Sequence, residues 1–529
     1  MEIFFVNWPK SDADHLIAST AQMRSFENNL INRGMPVEAL MEKVGQKLKD
    51  WFLERPELLL NGVLILVGPG HNGGDGLVLA RELFLENIDV SIWCPLPITQ
   101  SLTRRHQAYS HWLGIKELHE EPNVYCKTLW IDALFGLGQT RPLPEKIANL
   151  LKGREEKQPR RLISIDVPSG ICSDTGKTFS NVAATASYTL TIGLNKQGLI
   201  QDIAIPYVGE LIRLDIGIPQ KVLKKDKQIN FFKLAGDDLF SIPWPEPSSI
   251  SSKYQRGRLL VVAGSDKYKG AALLALQGAL ASGVGSIKAL LPQKMADNIW
   301  QVSPEIVVSG ILGNSIDGES EIGEAILKHK LDRLDSLLIG PGLALANEKW
   351  SDIACQLEKF PGLLVLDADA LNRLAFSTES WEWINKREGP TWLTPHLQEF
   401  YRLFPNLKDL SPLDAAPKAA KMTGANVLLK GAHSLIASPS GVRWQLVSTS
   451  SCAARAGLGD VLAGFVAGVG AIGFSIGGAM NDELLALAAL LHAEAAKSCK
   501  KGSKASSIAL ALEKLVRHIQ CPECVQRNI

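Results

Sequence analysis

Residues 455–464 carry the clearest chemical pattern in the chain, because a turn of small residues there presents one carboxylate, Asp460. Gly457 and Gly459 leave backbone N–H groups uncovered, and the apolar residues that follow predict a helix with these amides at its positive end. A nest of amides binds an anion such as a phosphate. An aspartate beside it suits a general base that takes a proton from an attacking hydroxyl. The pattern favours phosphoryl chemistry, and the plain alternative is a glycine-rich turn with a capping aspartate.

Polar residues also follow several apolar runs in the second half of the chain. Each run predicts a buried strand, and the runs alternate with helical patterns, as in a three-layer α/β domain. The strands begin near residues 258, 337, 363, 392 and 426. Asp367 and Asp369 follow one of them as a metal or acid–base pair or, as we favour, as polar caps. His396 is either structural or a ligand contact, and Lys430 is either a phosphate contact or a solvated lysine.

The first half contains a strand at residues 63–67, followed by a glycine-rich turn and a helical pattern. Gly68, Gly70 and Gly73 spell the G-x-G-x-x-G spacing of a dinucleotide-binding turn. The next predicted strand, residues 90–94, ends in cysteine and proline, so no carboxylate is placed to bind a ribose. An ordinary NAD-dependent dehydrogenase is therefore disfavoured.

Further polar side chains end neighbouring strands of the first half. Asp132 ends one predicted strand, and Asp166 and Ser169 follow another. In a doubly wound sheet the ligand crevice lies beyond the carboxyl ends of the strands, so these residues and Asn72 could converge there. Each residue alone could equally be a helix cap or turn former. The repetition of the pattern favours a site.

These residues carry a family resemblance. Residues 71–76, 132–136 and 166–170 resemble the three signatures of the NAD(P)H-hydrate epimerase family, over roughly residues 20–215. The resemblance implies a Rossmann-like fold and epimerisation of C6-hydrated NADH and NADPH, with Asp166 as the catalytic residue at the ring. It implies substrate contacts from His71, Asn72, Gly73, Gly74, Asp75, Gly136, Leu137, Gly138, Gln139, Thr140, Arg141, Pro142 and Asp166. It also implies a potassium ion held by Asn72, Asp132 and Ser169.

The second half is similar to the NAD(P)H-hydrate dehydratase family, whose fold resembles that of ribokinases. The similarity rests on residues 264–271, 340–342, 367–372, 394–396, 430–431 and 459–460, within roughly residues 235–515. It implies that Asp460 is catalytic and that the hydrated dinucleotide contacts Ala271, Gly342, His396 and Asp460. It implies nucleotide contacts from Lys430, Gly431, Ala432, His433, Ser434 and Gly459. The cofactors implied are Mg²⁺ and ADP, the donor in the fused microbial arrangement.

The whole chain is therefore expected to be an α/β protein with a Rossmann-like three-layer domain followed by a ribokinase-like three-layer domain. A Lys-, Pro- and Ser-rich stretch predicts the boundary, giving domains at residues 1–222 and 223–520. The resemblance implies that the first domain interconverts the R and S hydrates and the second dehydrates the S form. One alternative is a ribokinase-type kinase of small molecules fused to a non-catalytic dinucleotide-binding module. Another is a first domain that serves only as a sensor or scaffold.

Composition narrows the class of protein further. The formal net charge of +1 over 529 residues gives no electrostatic reason to expect nucleic-acid or membrane-surface partners. Scattered cysteines and the absence of a signal-like start predict a cytoplasmic protein, which we expect to form a homo-oligomer and to bind small molecules. Residues 461–480 are uncharged and contain Gly464-x-x-x-Gly468, but a buried helix explains them better than a membrane span. Cys521 and Cys524 form a lone CxxC without a second pair for zinc.

Overall fold

The computed structural model describes residues 8–225, 229–242, 244–315, 317–345, 350–377, 380–447, 454–477 and 482–520. The described residues form two compact units. The first unit spans Ser11–Phe231, and the second contains the residues from Phe232 onward together with those before Ser11. The division lies close to the boundary predicted near residue 222. Cys521 and Cys524 lie outside the described residues.

The first unit is built on a parallel sheet. Its strands in chain order are β1 (Val63–Val67), β2 (Val90–Trp93), β3 (Lys116–Leu118), β4 (Leu129–Ala133), β5 (Leu162–Ile165), β6 (Tyr188–Ile192) and β7 (Glu210–Leu214). Their spatial order is β3-β2-β1-β4-β5-β6-β7, with parallel pairing throughout. The order reverses direction beside β1, which is the topological switch point of a Rossmann-like sheet. All residues of β1, β4 and β5 are buried, as expected where helices cover both faces.

Helices connect and cover these strands. They are α1 (Thr20–Asn32), α2 (Val37–Leu53), α3 (Pro56–Leu59), α4 (His71–Leu85), α5 (Ser101–Trp112), α6 (Glu145–Lys157), α7 (Ile205–Val208) and α8 (Gln220–Lys225), with 3₁₀ turns at Gln197–Ile200 and Asp202–Ala204. Gly34 and Pro36 lie in the break between α1 and α2. A short strand, Ile17–Ala18, pairs in parallel with Asn195–Lys196 just before α1 begins.

The second unit is built on a larger mixed sheet. Its strands are β8 (Phe231–Leu234), β9 (Arg258–Val262), β10 (Ser286–Leu291), β11 (Val307–Ile311), β12 (Ser336–Ile339), β13 (Leu363–Leu366), β14 (Thr391–Leu393), β15 (Asn426–Leu429), β16 (Leu435–Ala437) and β17 (Arg443–Leu446). Their order is β8-β17-β16-β15-β14-β13-β12-β9-β10-β11. The strands from β15 to β11 in that order are parallel, and β16 is antiparallel to both of its neighbours. The strand ends that carry the predicted polar residues therefore share one edge.

The helices of the second unit follow the alternating pattern that the sequence predicts. They are α9 (Lys269–Ala281), α10 (Gln293–Ala296), α11 (Gly323–Leu327), α12 (Ser351–Glu358), α13 (Asp369–Phe376), α14 (Leu397–Leu403), α15 (Pro412–Thr423), α16 (Leu458–Gly477), α17 (Glu483–Ser498) and α18 (Ala505–Gln520). The 3₁₀ turns are Gly236–Ser241, Lys253–Arg256, Ile299–Gln301, Leu331–Arg333, Glu382–Lys386 and Pro405–Leu407. Gly313–Asn314 and Ser320–Glu321 form a separate antiparallel pair.

Helix α16 is the apolar segment that resembles a membrane span by length and composition, and 67% of its most apolar window is buried inside the unit. It packs directly on α9. A Cβ added to Gly464 would lie 1.8 Å from the carbonyl oxygen of Ala275, and one added to Gly278 would lie 2.0 Å from that of Val461. The small residues of α16 therefore bring two helix backbones together within the core, as the buried-helix interpretation predicts.

Two candidate active sites

A cavity of about 1050 Å³ opens in the first unit at the carboxyl ends of β1, β4 and β5. This position is the switch point at which open α/β sheets bind ligands. Most of the residues predicted to contact the epimerase substrate line it, namely His71, Asn72, Asp75, Gly136, Leu137, Gly138, Gln139, Thr140, Arg141, Pro142 and Asp166. Gly73 and Gly74 do not line the cavity. A Cβ on Gly73 would lie 2.1 Å from the Gly68 carbonyl oxygen, so this glycine permits close backbone packing instead.

Asp166 lies directly after β5 with a backbone φ of +66°, a conformation that strains a residue other than glycine. Its Oδ2 accepts a hydrogen bond from the Leu137 amide at 3.0 Å. Its Oδ1 accepts from the Ile192 amide at 3.2 Å and from Lys196 Nζ at 2.5 Å. Three donors therefore fix the carboxylate at the cavity wall, and strain of this kind is typical of a functional site.

Lys196 is a site residue that the sequence analysis missed. Its side chain is 1% exposed, and Nζ also donates to the Ile192 carbonyl oxygen at 2.5 Å. A buried ammonium needs a negative partner, and Asp166 supplies it. Lys196 follows β6 at the same edge as the other strand-end residues, so the rule that identified Asp132 and Asp166 also points to it.

Two further carboxyl groups, Glu27 and Asp75, line the same cavity. Burial raises the pKa of Glu27, and the charge of Asp166 raises it further, whereas Lys196 and Arg24 lower it. Burial also raises the pKa of Asp75 well above its ordinary value, with smaller contributions from Asp166 and Glu27. The cavity therefore brings two carboxyl groups with raised pKa values close to Asp166, which pairs with Lys196.

Asp132 and Ser169, two of the residues predicted to bind potassium, are in direct contact. Asp132 Oδ1 accepts from Ser169 Oγ at 2.6 Å, and Oδ2 accepts from the Ser169 amide at 2.8 Å and from Ser164 Oγ at 2.9 Å. Both residues are fully buried. Burial raises the pKa of Asp132, and these hydrogen bonds oppose the rise. Asp132 therefore ties β4 to the loop after β5.

Asn72 is the third predicted potassium ligand. A Cβ built on Gly136 would lie 3.1 Å from both Asn72 Cγ and Asp166 Oδ2, so these side chains approach each other across that glycine. Within the described residues, neither polar atom of the buried Asn72 side chain has a hydrogen-bond partner. A buried amide without a partner is costly, and an oxygen-binding cation or a substrate group would satisfy it. The oxygen donors of Asn72 and Ser169 fit a hard cation.

The candidate site of the second unit lies at the carboxyl ends of β13, β14 and β15 and at the beginning of α16. Asp460 is in the first turn of that helix, and Gly457 just before it has a φ of +86°. Lys430 Nζ donates to Asp367 Oδ1 at 2.7 Å, and a Cβ built on Gly459 would lie 3.6 Å from the same Nζ. Lys430 therefore places a cation beside the positive end of α16, as an anion-binding site requires.

Burial and surrounding charges shift the protonation of this cluster. Burial raises the pKa of Asp460 to about 7, Asp367, Asp369 and Glu399 raise it as well, and Lys430 lowers it. Burial alone would lower the pKa of Lys430, but Asp367, Glu399 and Asp460 raise it overall. A carboxyl group with a pKa near neutrality can accept a proton during catalysis and release it afterwards.

Ala271 and Gly342, two predicted dinucleotide contacts, lie against each other. Gly342 has a φ of +67°, and a Cβ added to it would lie 2.8 Å from the Ala271 Cβ. The loop beyond Gly342 is fixed by Asp369, whose Oδ2 accepts from the Ala344 amide at 2.8 Å. Arg373 donates to the carbonyl oxygens of Leu343 and Ala344, each at 2.7 Å. Asp369 thus caps a neighbouring loop, while Asp367 binds Lys430, so the two aspartates are not a matched pair.

His396 is the N-cap of α14, and its Nδ1 accepts hydrogen bonds from the amides of Gln398 and Glu399. Glu399 returns the contact, because its Oε2 accepts from the His396 amide at 2.8 Å. Burial lowers the pKa of His396, and Lys430 lowers it further. The side chain is 48% exposed, and its other ring nitrogen, Nε2, lies 3.3 Å from Glu399 Oε1.

The predicted nucleotide-binding residues after β15 form a surface turn. Gly431 and Ala432 are exposed, and Ser434 Oγ accepts from the Gly431 amide at 3.3 Å and donates to its carbonyl oxygen at 3.2 Å. The His433 carbonyl oxygen accepts from Gln445 Nε2 at 2.6 Å. The structure therefore brings Lys430 and Gly459 to the Asp460 cluster and presents Gly431–Ser434 as an adjoining rim.

His492 on α17 was not found by sequence reasoning. It is 6% exposed, and burial lowers its pKa to about 4, although a hydrogen bond to the Leu458 backbone opposes the change. The neutral imidazole ring therefore forms a hydrogen bond with the backbone of Leu458, the first residue of α16. A histidine inside an apolar helix gave no signal beyond that of an ordinary core residue.

Comparisons with known proteins cover both units. The family described as NAD(P)H-hydrate dehydratase matches residues 259–520, and the family described as YjeF-related protein N-terminus matches residues 37–198. The bifunctional NAD(P)H-hydrate repair enzyme Nnr of Synechocystis is 38% identical over 86% of this chain and 85% of its own length. The enzyme of the same name from Thermosynechococcus vestitus is 34% identical over 95% of this chain and 96% of its own. The crystal structure of the ADP/ATP-dependent NAD(P)H-hydrate dehydratase from Bacillus subtilis, co-crystallised with ATP and Mg²⁺, is 24% identical and covers 54% of this chain and 97% of its own, with a TM-score of 0.44.

Proposed function

Because the chain belongs to the family of bifunctional NAD(P)H-hydrate repair enzymes, we propose that its two units perform the two successive steps of that repair. The first unit epimerises the R and S forms of hydrated NADH and NADPH. The second unit dehydrates the S form to NAD(P)H with ADP as phosphoryl donor, which yields AMP and phosphate. The observation that carries the second step is the position of Lys430 beside the amino end of α16, where its charge acts on Asp460.

In the second unit, Asp460 removes the proton of the C6 hydroxyl, and that oxygen attacks the terminal phosphoryl group of ADP. The pKa of about 7 makes Asp460 a suitable base near neutral pH. Lys430 and the amides around Gly459 stabilise the charge on the phosphoryl oxygens. The lone pair of the ring nitrogen then expels phosphate from C6, and loss of a proton from the neighbouring carbon restores the dihydropyridine. We assign the hydrated dinucleotide to Ala271, Gly342 and His396.

The nucleotide would contact Lys430, Gly459 and the rim of Gly431, Ala432, His433 and Ser434. Mg²⁺ supplies charge compensation for the phosphates when it is bound. No cluster of three metal-binding side chains occurs among the described residues. Mg²⁺ would be held mainly by the phosphates with one or two nearby carboxylates of this site, which is a common arrangement for this ion.

In the first unit, the ring-nitrogen lone pair expels the C6 hydroxyl as water when a proton is supplied, and water adds to the opposite face as a proton is removed, so the reaction needs a residue that carries protons. We assign this role to Asp166, which three donors hold at the cavity wall. Asn72, Asp132 and Ser169 would hold a potassium ion whose charge orients the substrate. Support comes from the unpartnered amide of Asn72, whereas Asp132 already accepts hydrogen bonds with both oxygens.

We also propose domains at residues 1–222 and 223–520 and a homo-oligomer that acts in the cytoplasm on small molecules, without nucleic-acid or membrane partners. The formal net charge of +1 supports the absence of nucleic-acid partners. Size-exclusion chromatography with light scattering tests the assembly. A monomer at micromolar concentration would contradict it.

The decisive assay follows recovery of the near-ultraviolet absorbance of NADH from a mixture of hydrate epimers. The full chain is supplied with Mg²⁺ and K⁺ and with either ADP or ATP. We expect both epimers to be consumed with ADP. Asp460→Asn should abolish recovery. Asp166→Asn makes the same change in the first unit, and it should allow recovery of the S fraction only.

Other outcomes separate the alternatives. Recovery of only the S fraction by the unaltered chain would make the first unit a scaffold. A stable phosphorylated product would indicate a ribokinase-type kinase. Absence of recovery with either nucleotide would overturn the repair function.

A further inference from the structure

The cavity of the first unit contains a carboxyl group that the proposed mechanism does not use. Glu27 lines the same cavity as Asp166 but belongs to α1, whereas Asp166 follows β5. Asn28 and Ile31 of α1 also line the cavity. One face of this helix therefore forms a wall of the site, and Glu27 is its acidic residue.

The position of α1 is coupled to the lysine that holds Asp166. Ala18 pairs in register with Lys196, and Ser19 then caps the helix by accepting from the Gln22 amide. The Thr20 amide donates to Asp174 Oδ1 at 2.7 Å. The backbone of Lys196 thus anchors the helix that carries Glu27, and its side chain binds Asp166. The two carboxyl groups are positioned by one shared segment.

Arg24, one turn before Glu27, joins α1 to the predicted substrate loop. A Cβ built on Gly138 would lie 2.1 Å from Arg24 Nη2, so the guanidinium group lies directly over that glycine. Helix α1 is therefore in contact with the loop that follows β4. Glu27 faces the cavity from this helix, and Asp166 faces it from the sheet edge.

Glu27 and Asp166 lie in different electrostatic surroundings. Burial and Asp166 raise the pKa of Glu27, while Lys196 and Arg24 oppose the rise. Asp75 is the remaining acidic neighbour, and burial raises its pKa as well. Asp166 makes a direct ion pair with the Lys196 ammonium. A buried carboxyl group with a raised pKa, on a different wall of the cavity from a carboxyl group that pairs with a lysine, suits an acid and a base.

Epimerisation at C6 requires an acid and a base on opposite faces of the ring. The hydroxyl group leaves one face as water, which needs a proton, and a new water attacks the other face, which releases a proton. A single carboxyl group on one face serves only one of these events without moving around the substrate. Two carboxyl groups from different walls serve both.

We propose that Glu27 is a second catalytic acid–base residue of the epimerase, serving one face of the ring while Asp166 serves the other. The proposal rests on the epimerase function proposed above. Glu27 donates its proton to the leaving C6 hydroxyl as the C6–O bond breaks and the nitrogen lone pair forms C6=N1⁺. Water then adds to the opposite face, its proton passes to Asp166, and the electron pair returns to nitrogen. In the reverse epimerisation, Asp166 donates the proton and Glu27 accepts it.

The test compares inversion at C6 with exchange of the C6 oxygen in ¹⁸O-labelled water. The full chain is given one purified epimer of hydrated NADH without ADP, so that the second unit remains idle. We expect Glu27→Gln to slow inversion by about 100-fold or more, in the range of lost general acid–base catalysis. For the epimer whose C6 hydroxyl lies on the Asp166 face, exchange with retention should continue, so the ratio of exchange to inversion rises. Glu27→Asp, which keeps the carboxyl group, should recover part of the inversion rate.

Three results would overturn the proposal. They are unchanged inversion in Glu27→Gln, an equal decrease of exchange and inversion, and a Glu27→Asp variant that behaves like Glu27→Gln. Thermal unfolding of each variant reports whether the first unit is folded, and Glu27→Asp keeps the comparison valid if Glu27→Gln unfolds. Failure of the unaltered chain to invert either epimer would instead refute the epimerase function itself.

Discussion

Lys430 and Asp367 form an ion pair between the ends of β15 and β13, with Nζ 2.7 Å from Oδ1. The strand between them takes part, because Thr394 at the end of β14 donates to the same carboxylate oxygen at 2.9 Å. Three consecutive strand ends are therefore held together by one buried carboxylate, directly beside Asp460. This ion pair fixes the position of the Lys430 ammonium group. Both of its members also shift the pKa of Asp460.

Removing the negative partner of this pair should destabilise the second unit. Asp367→Asn leaves the Lys430 ammonium without its closest counter-charge, and breaking a buried pair costs about 3–5 kcal/mol. We expect about 2 kcal/mol, because Asp460 and Glu399 still face Lys430. Urea unfolding measures the change, with the exposed Asp409→Asn as control. Equal stability of the two variants would show that the pair contributes nothing.

The pH dependence of dehydration should report Asp460. Its pKa is raised to about 7, so the active carboxylate form is lost as the pH falls through that value, and kcat/KM should fall with it. Asp369→Asn removes one of the carboxylates that raise this pKa, while its amide oxygen can still accept from the Ala344 amide. The acid limb should therefore move to lower pH by about half a unit. A limb that stays in place or moves upward would contradict the assignment.

The same shift predicts that Asp460 costs stability in return for activity. Its folded pKa lies above the ordinary value of 3.8, so its contribution to stability is complete below that value and is lost as the pH rises through about 7. Asp460→Asn should therefore raise the melting temperature of the second unit more on the alkaline side of neutrality than at acidic pH. A gain that is independent of pH would indicate a cause other than titration.

The contact between α9 and α16 should tolerate no added side chain. Gly278→Ala would place its Cβ 2.0 Å from the Val461 carbonyl oxygen, so the helices must separate. Overpacking of this kind costs about 1–3 kcal/mol, measurable by urea unfolding. Gly270→Ala on the same helix is the matched control, because nothing lies within 4 Å of its added Cβ. If both substitutions have the same effect, helix propensity rather than packing determines it.

Trp8 should stabilise the second unit, although it precedes the whole of the first. Its side chain is 4% exposed within the core of the second unit, and Nε1 donates to the Asp238 carbonyl oxygen at 3.2 Å. Trp8→Ala should cost about 3–5 kcal/mol in that unit and leave epimerisation unchanged. Differential scanning calorimetry resolves the effect, with Trp112→Ala, which removes a 76% exposed ring, as control. A loss confined to the first unit would refute the prediction.

Periodicity and strand-end chemistry predict much of this fold. The apolar runs at β1, β9 and β13 are long enough to be recognised, and the parallel architecture then brings their polar ends to one edge. The grouping of Trp8 with the second unit could not be predicted, because a single tryptophan has no periodic pattern. The division near Phe231 also depends on contacts distant in sequence.

Candidate site residues could be predicted where a residue follows a strand, as Asp166 does, or a glycine-rich turn, as Asp460 does. Family resemblance implied their roles. Glu27 lies within an amphipathic helix, where an acidic residue ordinarily indicates a solvated face. Its place in the cavity depends on the register of Ala18 with Lys196, a contact that no local pattern reveals.

Trp8 and α16 belong to the same hydrophobic core, so the second unit can complete that core only late in translation. Trp8 emerges before every residue of the first unit, and α16 emerges after every strand of the second. The first unit has its complete sheet available midway through translation, whereas the second cannot close its core until α16 has been synthesised. The apolar strands β9 to β15 are therefore synthesised before the helix that covers them. During that interval these strands are exposed apolar segments, which are prone to aggregate.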